Sequence, residues 1–341
     1  MSPVVPAAVE AAREIVDPVM REAVARLDPI TARVAAYHLG WADAAGQAVA
    51  HGGKALRPAL AVLSARAARG GPDVGAHVGA VAGAAVELVH AFSLLHDDIM
   101  DGDRVRRHRP AAWTVFGRSE AILAGDALLA LAGELLIERG TPGFVDAARA
   151  LARTTRGLIA GQGLDLEFER RDDVTLEECL RMSARKTGDL LACACSIGAT
   201  AAGGPGPLAS SLAAFGMEAG VAFQLADDLL GIWGSPEVTG KPVLSDLRAR
   251  KKSLPVVAAL TSGTAAGERL ARLLALPGPP AEPDLRDAAR LVEEAGGRDW
   301  AETEAKHRLD AAGLHLDAVD MPADVRADFL DIVLSLAARD R

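Results

Sequence analysis

A chain of 341 residues, half of them hydrophobic, can bury a substantial core in one large domain or two medium ones. Only 4% of the residues are aromatic, and alanine and leucine supply most of the apolar side chains, which favours an all-α protein. A formal net charge of -9 argues against nucleic-acid binding, which calls for a basic face.

The N-terminus has no basic region before its apolar residues and is broken early by Glu10 and Arg13, so a secretory signal is not expected and the protein is expected in the cytoplasm. Pro6 to about Leu27 has helical spacing, and Asp28-Pro29 ends that helix. A second stretch runs to about Ala50 and leads into Gly52-Gly53-Lys54-Ala55-Leu56-Arg57-Pro58. The paired glycines break the helix and put Lys54 and Arg57 three apart on the first turn of the next one. Alone, that pair reads as a solvated helix start.

Residues 75–101 form a long helix, rich in small residues that allow close neighbours. His90, Leu94, Asp97 and Asp101 fall on one stripe, with Asp98 at its edge. A histidine in an apolar helix is either a core residue or a ligand group, and alignment with three carboxylates keeps both readings open. Four arginines follow between Arg104 and Arg109.

Helices are expected over Ser119–Glu138 and Pro142–Phe168, the latter holding Gly161-Gln162-Gly163-Leu164-Asp165. Thr175 and Glu178 form a capping-box pair. Lys186-Thr187-Gly188 interrupts before the next apolar helix, and Gly203 to Pro207 is a loop. The longest uncharged run, Leu190 to Met217, is broken by Pro205 and Pro207 and does not read as a membrane span. The three cysteines, Cys179, Cys193 and Cys195, read as buried apolar residues. From Leu208 a helix runs to Ile232, ending in Gln224-Leu225-Ala226-Asp227-Asp228-Leu229-Leu230-Gly231. A basic segment from Gly234 to Pro255 follows, and after the connector from Leu276 to Pro283 the rest is amphipathic helix. No strand alternation, solenoid repeat or second-domain composition is evident, so 1–341 reads as a single domain.

Asp97, Asp98 and Asp101 repel one another unless a cation lies between them. Magnesium suits, because it takes one or two carboxylates and completes its shell with phosphate oxygens and water. The arginines add bidentate phosphate recognition. A second aspartate pair leading into a second basic segment makes solvated helix ends a poor account of both.

Two aspartate-rich helix ends, with GGKALRP upstream and RKKSLP downstream, resemble the all-α isoprenyl (polyprenyl) diphosphate synthases, over about residues 50–256. The resemblance implies a large antiparallel helical bundle with a central cavity, the isoprenoid synthase type I fold. It also implies a short-chain prenyltransferase that extends an allylic diphosphate with isopentenyl diphosphate. Residue by residue, Asp97, Asp98 and Asp101 match the first metal motif, with Asp97 and Asp101 as ligands. Asp227 and Asp228 match the second, with Asp227 as ligand. Three magnesium ions are implied. Arg106 matches the arginine at the allylic diphosphate. Lys54, Arg57, His90 and Arg107 match the isopentenyl diphosphate pocket. Lys186, Thr187, Gln224, Lys241 and Lys251 match further groups at the allylic diphosphate, and Gln162 and Asp165 line the same cavity.

In that family a bulky residue five positions before the first motif limits product length. Here it is Phe92, followed by Ser93, which favours farnesyl (C15) over geranylgeranyl (C20) product. A homodimer is implied. Two departures stand out: Gly231 where the family usually has a third aspartate, and Arg250 where many relatives have glycine. The alternatives are a class I terpene cyclase, which would carry a different second motif, and a non-catalytic prenyl-diphosphate-binding partner subunit, in which metal ligands would be lost.

Overall fold

The computed structural model describes residues 6–49, 55–69, 72–235 and 243–337. Lys54 and Lys241, with the glycine pair 52–53, lie outside the described residues. The chain is all-α. Its helices are α1 (Ala7–Val24), α2 (Pro29–His38), α3 (Leu56–Arg69), α4 (Pro72–Met100), α5 (Ala112–Phe116), α6 (Arg118–Ile137), α7 (Pro142–Phe168), α8 (Leu176–Ser183), α9 (Asp189–Ala201) and α10 (Gly206–Trp233). After these come α11 (Ser245–Arg248), α12 (Leu254–Leu260), α13 (Ala265–Leu274), α14 (Glu282–Glu294), α15 (Gly297–Asp317) and α16 (Ala323–Ala337).

Four local features depart from the sequence expectation. The second stretch is helical only over Pro29–His38 and not up to the glycine pair; Ala42 and Ala48 form an antiparallel bridge after it. The four-arginine stretch contains a two-stranded antiparallel hairpin, β1 (Val105–Arg106) and β2 (Arg109–Pro110). Two-residue strands are too short to show alternation. The first helix stops at Val24, three residues early. Lys186-Thr187-Gly188 does not interrupt the chain between α8 and α9: Ala184–Gly188 is a π-helical turn that carries one helix into the next.

The chain divides into two compact units. The first comprises Met1–Thr155, Ala192–Ala213 and Leu316–Ile332, and the second Arg156–Leu191, Ala214–His315 and Val333–Arg341. In the first, α4 is the central helix and packs on α3, α6 and α1. Small residues allow this: a Cβ at Gly79 would lie 2.6 Å from Val62 Cα, so α3 and α4 meet nearly backbone to backbone. The stretch Gly75–Met100 is long and apolar enough to cross a membrane, but 78% of its most apolar part is buried inside the protein, as befits a core helix.

In the second unit one cluster joins Ile232, Leu244, Leu247 and Val256 to Leu270, Leu285 and Val292. Another joins Phe168, Cys179, Met182, Leu225, Leu254 and Val257. Thr175 and Glu178 form the expected capping box at α8. Cys179, Cys193 and Cys195 are all buried.

Candidate functional site

In the first unit, the close approach of α3 and α4 brings the start of α3 against the lower turns of the acidic helix. Arg57 Nη1 lies 3.1 Å from His90 Nε2. A guanidinium has only hydrogens to offer, so Nε2 accepts and the ring proton sits on Nδ1. Burial first, then the charges of Arg57, Arg107 and Arg106, hold His90 well below the ordinary histidine range. The imidazole is therefore neutral and fixes one edge of Arg57 without competing for anions.

Asp97 is half-buried and Asp101 exposed, four residues apart on one face. Asp98 differs. Its side chain is 1% exposed and accepts from Arg106 Nε at 2.6 Å, with Arg106 Nη2 also 2.6 Å from the same oxygen. Burial raises its pKa, and Arg106 pulls the other way. The hairpin makes this pairing possible. Arg107 and His108 occupy its turn with φ of 50 and 60°, and Arg106 turns back onto α4. Tyr37 Oη donates to Pro110 O at 2.9 Å and Arg109 donates to Ala42 O at 3.0 Å, which pins the second strand.

Arg107 lines a cleft together with Glu87, Asp17, Arg13, Trp41 and Pro58. Burial raises the pKa of Glu87, with Arg57 and Arg107 opposing. The sequence reading did not single out Glu87, although it sits three residues before His90 on the same stripe. Phe92 and Ser93 are both 6% exposed. The Phe92 ring meets His96 edge-on at 4.8 Å between centroids.

In the second unit, the π-helical turn passes so close to α7 that a Cβ at Gly161 would lie 2.4 Å from Lys186 N. This lets Lys186 Nζ donate to Asp165 Oδ2 at 2.5 Å and Thr187 Oγ1 donate to Gln224 Oε1 at 2.6 Å. Gln224 Nε2 then donates to Asp228 Oδ1 at 2.8 Å. The other Asp228 oxygen accepts from Leu254 N at 2.9 Å, so this 3% exposed carboxylate caps the first turn of α12. Lys251 Nζ lies 3.8 Å from Asp228. Asp227, one position earlier, is exposed. Gln162 is 5% exposed, and neither amide atom has a hydrogen-bond partner among the described residues.

The structure thus brings Arg57, His90, Arg106, Arg107, Asp97, Asp98 and Asp101 together in one unit. It brings Asp165, Lys186, Thr187, Gln224, Asp228 and Lys251 together in the other. The middle aspartate of the first motif and the second of the other are buried, whereas Asp97 is half-buried and Asp101 and Asp227 are exposed, which makes these three the candidate cation ligands. Arg250 has a φ of 52°, a left-handed conformation that glycine adopts without cost, and its guanidinium reaches Gly278 O at 2.8 Å.

The polyprenyl synthetase family profile matches residues 40–292. A farnesyl diphosphate synthase of Mycobacterium tuberculosis is 46% identical over 325 residues, covering 94% of this chain and 89% of that protein. A geranylgeranyl diphosphate synthase of the same organism is 45% identical over 321 residues, covering 93% and 90%. A crystal structure of a polyprenyl synthetase from Streptomyces coelicolor superposes with a TM-score of 0.91 at 50% identity, covering 98% of this chain and all of that one.

Proposed function

We propose that this chain, which belongs to the polyprenyl synthetase family, is a short-chain prenyl diphosphate synthase that joins isopentenyl diphosphate head-to-tail to an allylic diphosphate and releases diphosphate. Close relatives named farnesyl and geranylgeranyl diphosphate synthase support this reading, and they favour neither a terpene cyclase nor a non-catalytic subunit. The observation that carries it is neutral His90 holding Arg57 on the helix face that ends in Asp97 and Asp101.

Lys54, Arg57, His90 and Arg107 are assigned to the diphosphate of isopentenyl diphosphate. Arg106, Lys186, Thr187, Gln224, Lys241 and Lys251 are assigned to the allylic diphosphate. Asp97, Asp101 and Asp227 are assigned to magnesium, with three ions expected alongside bound diphosphate. The carboxylate oxygens of half-buried Asp97 and exposed Asp101 and Asp227 are the donor type that this metal takes. One or two carboxylates, completed by phosphate oxygens and water, is how magnesium is usually held.

Magnesium, when bound, neutralises the diphosphate and makes it a leaving group. The protein's cations are fixed before the reaction: Arg106 by Asp98, Lys186 by Asp165, and Arg57 by His90. Such preorganised charge stabilises the negative charge that grows on the leaving group as the allylic carbon ionises. The double bond of isopentenyl diphosphate, held through Arg57 and Arg107, attacks the allylic cation, and a proton leaves to the departing diphosphate. Asp228 orients Gln224 and Lys251.

The product is farnesyl diphosphate ahead of geranylgeranyl diphosphate, with Phe92 and Ser93 setting the limit. Residues 1–341 form one synthase domain in a cytoplasmic homodimer. Exposed Ile122, Leu123 and Ile137 on α6 support a partner surface. Incubation with magnesium, isopentenyl diphosphate and dimethylallyl or geranyl diphosphate tests the reaction: absence of any extended product overturns it. A strict monomer in light scattering would remove the dimer.

A further inference from the structure

Two-residue strands are a weak support for arginines that must meet a charged ligand. The hairpin pairs only Val105 with Pro110 and Arg106 with Arg109. Pro110 has no N–H, so the first of these pairs lacks a ladder donor. The turn holds Arg107 and His108, neither of them glycine, in the left-handed region at φ of 50 and 60°. An isolated two-stranded hairpin is marginal in water even when longer, so something outside it must hold its register.

The end of α2 and the segment after it provide that hold. Tyr37 is the chain's single tyrosine and is 6% exposed. Its Oη donates to Pro110 O at 2.9 Å, while the Arg109 guanidinium lies 4.4 Å from the centre of its ring and donates to Ala42 O at 3.0 Å. One aromatic side chain thus engages both residues of β2. The anchor is itself braced: Gly40, at φ of 79°, turns the chain after α2, Ala42 bridges Ala48, and Val49 N donates to Trp41 O at 3.0 Å. Phe116 of α5 meets the Tyr37 ring edge-on at 5.2 Å between centroids. His38, next in the chain, is kept neutral by burial and by the charges of Arg106, Arg107 and Arg109, so it adds no positive charge to theirs.

We propose that Tyr37 and Arg109 are positioning residues for the prenyl transfer: with the Ala42 carbonyl they lock β2, and through the Arg106–Arg109 pair they present Arg106 and Arg107 to the two diphosphates. Arg109 is then a strut, its guanidinium held by Tyr37 and Ala42, although along the chain it looks like one more phosphate-binding arginine. This rests on the assignment of Arg106 and Arg107 to the diphosphates above.

The test uses the full chain with magnesium, isopentenyl diphosphate and geranyl diphosphate, reading steady-state kinetics, Tm and hydrogen exchange by mass spectrometry. Tyr37→Phe removes one oxygen atom and no charge. It should raise KM for both diphosphates about 5-fold, the worth of one hydrogen bond, and change kcat less. Exchange over residues 102–111 should quicken while the rest of the chain keeps its parental rates. Arg109→Lys keeps the charge but loses the planar stack and the fork, and it should behave in the same way, which separates a strut from a ligand that needs only its charge. Parental KM values in either variant overturn the proposal. So does a loss confined to kcat with faster exchange throughout the chain, the mark of a general structural role. A parent that extends no allylic diphosphate overturns the assignment of Arg106 and Arg107, and this inference with it.

Discussion

Arg106 grips Asp98 with two nitrogens on one carboxylate oxygen, each at 2.6 Å, across the eight residues that the hairpin doubles back. That bond separates the roles of three aspartates that look alike in the chain. Asp98 is buried against Arg106, whereas Asp97 is half-buried and Asp101 exposed.

Substitution should therefore sort them. Asp97→Asn and Asp101→Asn should lower activity sharply and raise the magnesium concentration needed for half-maximal rate, with little change in Tm. Arg106→Ala should instead destabilise the fold by about 3 kcal/mol, because it leaves a buried carboxylate without its partner. Urea unfolding of the three variants, beside magnesium titrations of activity, checks the division. Equal magnesium shifts in all three would refute it.

Product length should respond to a chain of contacts rather than to one residue. Phe92 lies against His96, whose Nε2 is 3.1 Å from Ile122 O, and a Cβ at Gly125 would fall 2.4 Å from the same nitrogen. Phe92→Ala should lengthen the product past C15. Gly125→Ala should displace His96, loosen its contact with Phe92, and raise the share of C20 product. Chromatography of products from isopentenyl and farnesyl diphosphates reads both, and an unchanged distribution in Phe92→Ala would show that the brake lies elsewhere.

Stability should fall on mild acidification. Burial, reinforced by Arg106, Arg107 and Arg109, lowers His38 to about 3, and His90 is also held well below its usual value. Both rings stay neutral in the folded chain while the unfolded chain protonates them from about pH 6.5 downward. The unfolded state then binds more protons, so stability is full above pH 6.5 and is lost as the pH drops. The loss is about 1.4 kcal/mol per pH unit for each histidine once well below 6.5. The decline in Tm from pH 7 to pH 5 should be shallower in His38→Gln than in the parent.

Arg250 combines a left-handed backbone with a side chain tethered to Gly278 O. Arg250→Ala loses the tether and keeps the strained backbone, whereas Arg250→Gly loses the tether and relieves the strain. The glycine variant should be the more stable of the two, by about 1 kcal/mol. Thermal melts decide the order.

Much of this protein is written locally. Helix α7 begins at Pro142 and ends at Phe168, as its spacing predicts, and Thr175 with Glu178 marks the start of α8 because the capping box needs only residues three apart. The stripe from His90 to Asp101 is likewise legible, since one helix carries it. What the chain order alone does not decide is which like residue takes which role. Asp98 is withdrawn by an arginine that a two-residue hairpin returns to it, and Asp228 by the first amide of α12. Arg109 reads as one more phosphate-binding arginine until Tyr37 is found against its guanidinium. Periodicity is a property of neighbours along one helix, and these assignments depend on which backbone another segment can approach closely enough to touch.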